Sequence, residues 1–133
     1  MRTSESTKRA TGTFDITSWD EEAYDERDGV TLGRARLAKT FHGDLTATSE
    51  VELLAVHVGG EGAAYVAVER VTGSLHGRRG GFVLTHAAGQ AHGMTVAVVP
   101  GSATGELSGL TGAITIVRHE DGSHEYSLDY QHV

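Results

Sequence analysis

The chain has 133 residues and a mass of 14.1 kDa, enough for one domain that buries its own core. A net charge of −7 with no stripe of basic residues argues against nucleic acid as a partner, and the absence of cysteine excludes disulfides and thiolate metal sites. No apolar run approaches the roughly 18 residues of a membrane span and the N-terminus has no apolar leader segment, so the expected location is the cytoplasm, off the membrane.

Residues 1–10, MRTSESTKRA, are polar and charged and read as a disordered tail, which leaves 11–133 as a single domain. Segments rich in Val, Ile, Leu, Thr and Tyr then lie near 11–19, 30–41, 44–58, 63–76, 81–87, 92–99, 111–118 and 123–131. Glycine-containing turns separate them. With asparagine absent and Pro100 the only proline, the 18 glycines must supply nearly all special turn geometry. Between the first two segments, Asp20 to Asp28 (DEEAYDERD) reads as a solvated loop or short helix. The alternative is a rim over a barrel mouth, with Trp19 and Tyr24 as its apolar contacts. No segment sustains a helical period, although Ser102 to Leu110 has room for one short helical turn.

Eight consecutive strands with short connections predict an all-β fold, a single eight-stranded antiparallel up-and-down β-barrel. Closure removes both sheet edges and leaves room inside for packed side chains or one small ligand. A two-sheet sandwich is the alternative. The last strand alternates most clearly, with His124, Tyr126, Leu128, Tyr130 and His132 on one face. A weak internal repeat, TGxLxGxxG, occurs at Thr72 to Gly80 and again at Thr104 to Gly112.

The turns allow a register to be counted. If Gly59 to Gly62 is a four-residue loop, Val58 pairs with Ala63 and Glu52 lies opposite Glu69. If Gly77 to Gly80 is another, Val71 lies opposite His86 with Glu69 on the diagonal, about 7 Å away. One face then carries Glu50, Glu52, Leu54, Val56, Tyr65, Glu69, Val71, Leu75, Phe82, Leu84 and His86. Most of these are apolar, so the face is expected to line the interior. Two carboxylates opposed in low dielectric repel, so one binds a proton or both need a cation such as His86. That arrangement suits proton transfer. Glu52, Glu69 and His86 are therefore the expected catalytic set, with Glu50, Tyr65, Phe82, Leu84 and, from the last strand, Tyr126 as ligand contacts. Arg70 points the other way.

No metal site and no cofactor are expected. The histidines lack an H-x-H pair; His86 with His92, and His119 with His124, only flank hairpins. The stretch Val98 to Leu110 lacks the lysine of a phosphate loop, and no G-x-S-x-G elbow is present.

The motifs GTFDITSWDE, TFHGDLTATSEVELL, AYVAVERVTGSLHGRRGGFVLTH, VVPGSATGELSGLTG and HEYSLDY together make the chain from about residue 11 onward resemble domain of unknown function family 3224. The resemblance implies an eight-stranded barrel similar to those of allene oxide cyclase and the dirigent proteins. It places Ser49 and Glu52 in the family's S-x-x-E, Glu69 and Arg70 in its E-R pair, and His86 at the close of GGFVLTH. Gly81 and Thr85 depart from the serine and glutamine usual in the pattern. The family brings no established catalytic residues.

Three functions fit these observations. In the first, the barrel encloses a small apolar molecule and Glu52, Glu69 and His86 isomerise or cyclise it by acid–base chemistry. The second is a non-catalytic carrier of such a ligand. The third is an interaction module with a filled barrel. Apolar second faces on the middle strands (Val51, Leu53, Ala55; Ala64, Val66, Val68) suggest a homodimer or higher homo-oligomer.

Overall fold

The structure, a computed structural model, describes residues 7–90 and 93–132. Its strands are β1 (Lys8–Arg27), β2 (Val30–Gly43), β3 (Leu45–Val58), β4 (Glu61–Leu75), β5 (Arg78–Gly89), β6 (Gly93–Val98), β7 (Thr104–Gly105), β8 (Leu110–Arg118) and β9 (His124–His132). Three hairpins turn on two residues with positive φ: Asp28-Gly29, Gly59-Gly60 and His76-Gly77. Such turns match the right-handed twist of the strands they join, and glycine at the second position removes the steric cost. Eight antiparallel strands close into a barrel in the order β1-β2-β3-β4-β5-β6-β8-β9, with β9 returning to β1. The ninth, β7, lies outside that ring and pairs with Gly80 and Gly81 of β5. A Cβ on Gly80 would stand 2.1 Å from the Thr104 carbonyl oxygen, so this close approach needs glycine. The two TGxLxGxxG repeats thus meet here.

The segment 102–110 holds β7 and a series of turns rather than the expected helical turn. Its Leu107 is buried in the core and closes one end of the barrel. That end is packed by Phe14, Phe41, Leu45, Val71, Leu75, Phe82, Leu84, Leu110, Tyr126, Leu128 and Tyr130, where alternate residues of every long strand point inward. Phe82, Leu84 and Tyr126, expected as ligand contacts, belong to this packed core. The Tyr126 hydroxyl lies 2.9 Å from the His42 carbonyl and 3.1 Å from that of Leu45, and accepts the Leu45 N–H at 2.9 Å. It ties β9 across β1 to the β2–β3 turn.

Two expectations at the N-terminal side change. Residues 8–10 belong to β1, and Ala10 is fully buried, so the strand takes in part of the expected tail; residues 1–6 lie outside the described residues. Asp20 to Arg27 is neither loop nor helix but the far half of β1, paired with β2 from Asp20↔Arg36 to Arg27↔Val30. β9 pairs with β1 only as far as Phe14, so the rest of β1 is an edge strand. A row of acids on an exposed edge repels a second strand, which accounts for the acidic run better than a solvated loop does.

The third change decides the site. Both loops counted as four residues are two-residue turns, which alone would leave each strand's inward face unaltered. Between Val56 and His57, however, the β3–β4 register shifts, because Ala63 is an extra residue on β4. This bulge flips the relation between the two strands: Val51, not Glu52, lies opposite Glu69. Val51, Leu53 and Ala55 therefore face in, while Glu50, Glu52 and Leu54 face out. The apolar outer stripe is made by Leu54, Val66 and Val68.

Replacing Tyr126 by Phe leaves the buried Leu45 N–H without its acceptor. Urea unfolding should show a loss of about 1–3 kcal/mol; an unchanged midpoint would mean that the hydroxyl carries no such role.

Candidate functional site

The two ends of the barrel differ because their inward residues differ in size. At the end opposite Leu107, inward positions are small: Gly33, Ala35, Ala55, Ala67 and Ala88. They cannot fill an eight-stranded ring, and a cavity of about 760 Å³ remains, open to solvent. Its wall is largely apolar, with Leu37, Val51, Leu53, Tyr65 and Ile116, and Trp19 and Met94 stand exposed at its edge.

At the inner end of the cavity four polar side chains from four adjacent strands converge. Lys39 of β2, Ser49 of β3, Glu69 of β4 and His86 of β5 are all buried, Glu69 to 1 % exposure. Oε1 of Glu69 accepts from Lys39 Nζ at 3.2 Å and from His86 Nε2 at 2.7 Å; Oε2 accepts from Ser49 Oγ at 2.6 Å. Among the described residues no side-chain polar atom wholly shut off from solvent lacks a partner. Burial alone pushes the Glu69 carboxyl up. The His86 hydrogen bond, the Lys39 charge and the Ser49 hydroxyl outweigh it and hold the group below the ordinary glutamate value. Glu69 is thus an ionised carboxylate in the interior, which is tolerable only because cations and donors surround it.

A carboxylate can only accept, so His86 Nε2 carries the proton it shares with Oε1, and the neutral tautomer with that proton has its lone pair on Nδ1. Among the described residues Nδ1 has no hydrogen-bond partner, and the His86 side chain lines the cavity. Lys39 lines it as well, its Nζ lying 4.7 Å from the centre of the Phe14 ring. His124 stacks on the same Phe14 ring, centres 4.8 Å apart, and stands across from Arg118 in the β8–β9 register. Burial, then Arg118 and Lys39, lower the His124 value against the opposing pull of Asp15. The Tyr65 hydroxyl is raised by burial and by Glu69, and it reaches Met94 Sδ at 3.5 Å.

Of the three residues expected to be catalytic, Glu69 and His86 meet as anticipated, on a diagonal, with His86 opposite Ala67 rather than Val71. Glu52 does not join them. It sits on the outer face, half-exposed and 2.8 Å from Arg36, for the register reason given above. Glu50 is outside too, across from Arg70. Tyr65 lines the cavity. Lys39 was missed, although RARLAKTF places it in an alternating inward row with Ala35, Leu37 and Phe41. His92 lies outside the described residues. Among those described, no three histidines or carboxylates are grouped to hold a metal ion, and no helix is long and apolar enough to cross a membrane.

Residues 10–130 match a family described as "Protein of unknown function (DUF3224)". The chain belongs to this family. A solved structure from the same family, a protein with unknown function from Shewanella oneidensis MR-1, is 36% identical, with a TM-score of 0.82 over 96% of this chain and 99% of that one. No curated protein matches. Neither of the two matches supports the likeness to allene oxide cyclase and the dirigent proteins. What this DUF3224 member adds to its fold is a buried, charge-compensated Glu69 beneath an open cavity.

Replacing Glu69 by Gln leaves Lys39 buried without its counter-ion, and should cost about 3–5 kcal/mol at neutral pH. Because the folded carboxyl titrates below its ordinary value of 4.5, its stabilisation is fully present above that value and is lost as pH falls below it. The stability gap between wild type and Glu69→Gln should therefore close in acid, as read by urea unfolding at a series of pH values. A gap that stays constant down to pH 3 would mean that Glu69 is not ionised in the fold.

Proposed function

We propose that the protein binds a small, largely apolar molecule in the open half of its barrel and moves a proton on it, as an isomerase or cyclase does. The observation that carries this reading is the Lys39–Glu69–His86 network placed under an apolar cavity of about 760 Å³. A network serving stability alone gains nothing from lying beside a void, and an apolar pair of similar volume would be at least as stable.

In this reading His86 is the base. Its Nδ1 takes a proton from carbon beside the ligand's polar group, and the same nitrogen returns it at another position, so that atoms and charge balance over the cycle. Glu69 fixes the ring and compensates the imidazolium formed between the two transfers. The Lys39 ammonium stabilises negative charge as it develops on the ligand. The cavity is open to solvent, so the proton held on Nδ1 between the two transfers exchanges with water. The acid–base pair is a carboxylate and an imidazole and not two carboxylates, because Glu52 faces out. A filled barrel fits the Leu107 end only, and a pure carrier differs from the catalyst in one respect, the proton.

The experiment is a thermal-shift search for a ligand, followed by proton NMR of that ligand with the protein in D2O. At 100 times its Kd the ligand should stabilise wild type by about 2.7 kcal/mol. Ala55→Phe, which intrudes on the cavity wall, should abolish the shift, and a shift that survives it would place the ligand elsewhere. His86→Gln should bind with similar affinity but lose deuterium incorporation. Binding with no incorporation even in wild type would favour the carrier.

A further inference from the structure

The charges on the cavity wall run against those of the chain. The protein as a whole is at −7, with 18 acidic residues against 11 Lys and Arg. Among the described residues the charged side chains of the cavity lining are two cations, Lys39 and Arg118, and one carboxylate, Glu21, and three histidines, His57, His86 and His124, also line it. Glu69, behind this wall, is matched with Lys39. Arg118 is different: among the described residues no carboxylate lies within salt-bridge distance of it. It lies on β8 beyond the two β6–β8 pairs, Val96↔Ile114 and Ala97↔Ala113. From there Arg118, His124, Phe14 and Lys39 run in sequence into the barrel. A cation with no partner beside an apolar wall attracts an anion, and a planar guanidinium suits a carboxylate in particular.

Resting on the cavity reading above, we propose that the molecule taken up is an amphipathic organic acid, its carboxylate held by Arg118 and its apolar body lying along Leu37, Leu53 and Tyr65. A cationic ligand meets Lys39 and Arg118 as like charges. A dianion such as a phosphate monoester would need a second unpaired cation, since Lys39 is already engaged by Glu69. One cation with no carboxylate partner among the described residues, beside a mostly apolar wall, selects a monoanion with a hydrocarbon body.

Trp19 is the only tryptophan and lines this cavity, so its fluorescence reports occupancy directly. Three probes with the same decyl chain separate charge from hydrophobicity: decanoate, decanol and decyltrimethylammonium, each titrated below its micelle concentration into the full chain. Decanoate should bind about tenfold more tightly than decanol, and the cation should not bind. Arg118→Gln should weaken decanoate about tenfold and leave decanol within twofold. Equal binding of decanoate and decanol by wild type, or a decanoate preference that survives Arg118→Gln, overturns the inference and leaves the apolar cavity standing. Failure of all three probes overturns the cavity reading and this inference together.

Discussion

An ionised glutamate in a barrel interior must be reached by donors from neighbouring strands, and in this protein that requirement ties four strands to one register. Lys39, Ser49, Glu69 and His86 come from β2, β3, β4 and β5, and each must face inward at nearly the same height. A slip of one residue in any of these pairings would turn one partner out and strand a charge in the core. The network therefore specifies the alignment of half the barrel more sharply than apolar packing could, since Val, Leu and Ala tolerate exchange.

The network also marks the boundary between two regimes of packing. Toward Leu107 the inward residues are large and the interior is filled; toward Gly33 and Ala55 they are small and it is not. Chemistry placed at that boundary has a rigid support on one side and free volume on the other. Support of this kind holds the buried side chains of the network in one rotamer each.

Much of this was legible in the sequence. Alternation on β9 fixed its inward row, and the count of residues between Glu69 and His86 kept them on one face even though the turn between them was read two residues too long, because an even error preserves parity. The bulge was not legible. Ala63 differs in no way from its neighbours in GGEGAAYV, and its extra place in the ladder is settled by how the twist of β3 and β4 is accommodated around the ring. One residue thus decided whether the site would have two glutamates or one. The far half of β1 was misread for a different reason: its acids carry little strand propensity, and pairing with Arg34 and Arg36 of β2 overrides it. Lys39 was hidden only by convention, since a lysine within an apolar row is usually taken for the solvated face.

The β6–β8 pairing has a kinetic meaning. Every other neighbour in the ring is joined along a longer ladder, whereas this one rests on two residue pairs. A closed barrel otherwise resists opening, because any gap exposes backbone groups on both sides. Between β6 and β8 only two residue pairs have to part. Local opening of the ring is therefore expected first at this join, well before global unfolding, and the backbone amides of β6 and β8 are the ones that should exchange soonest.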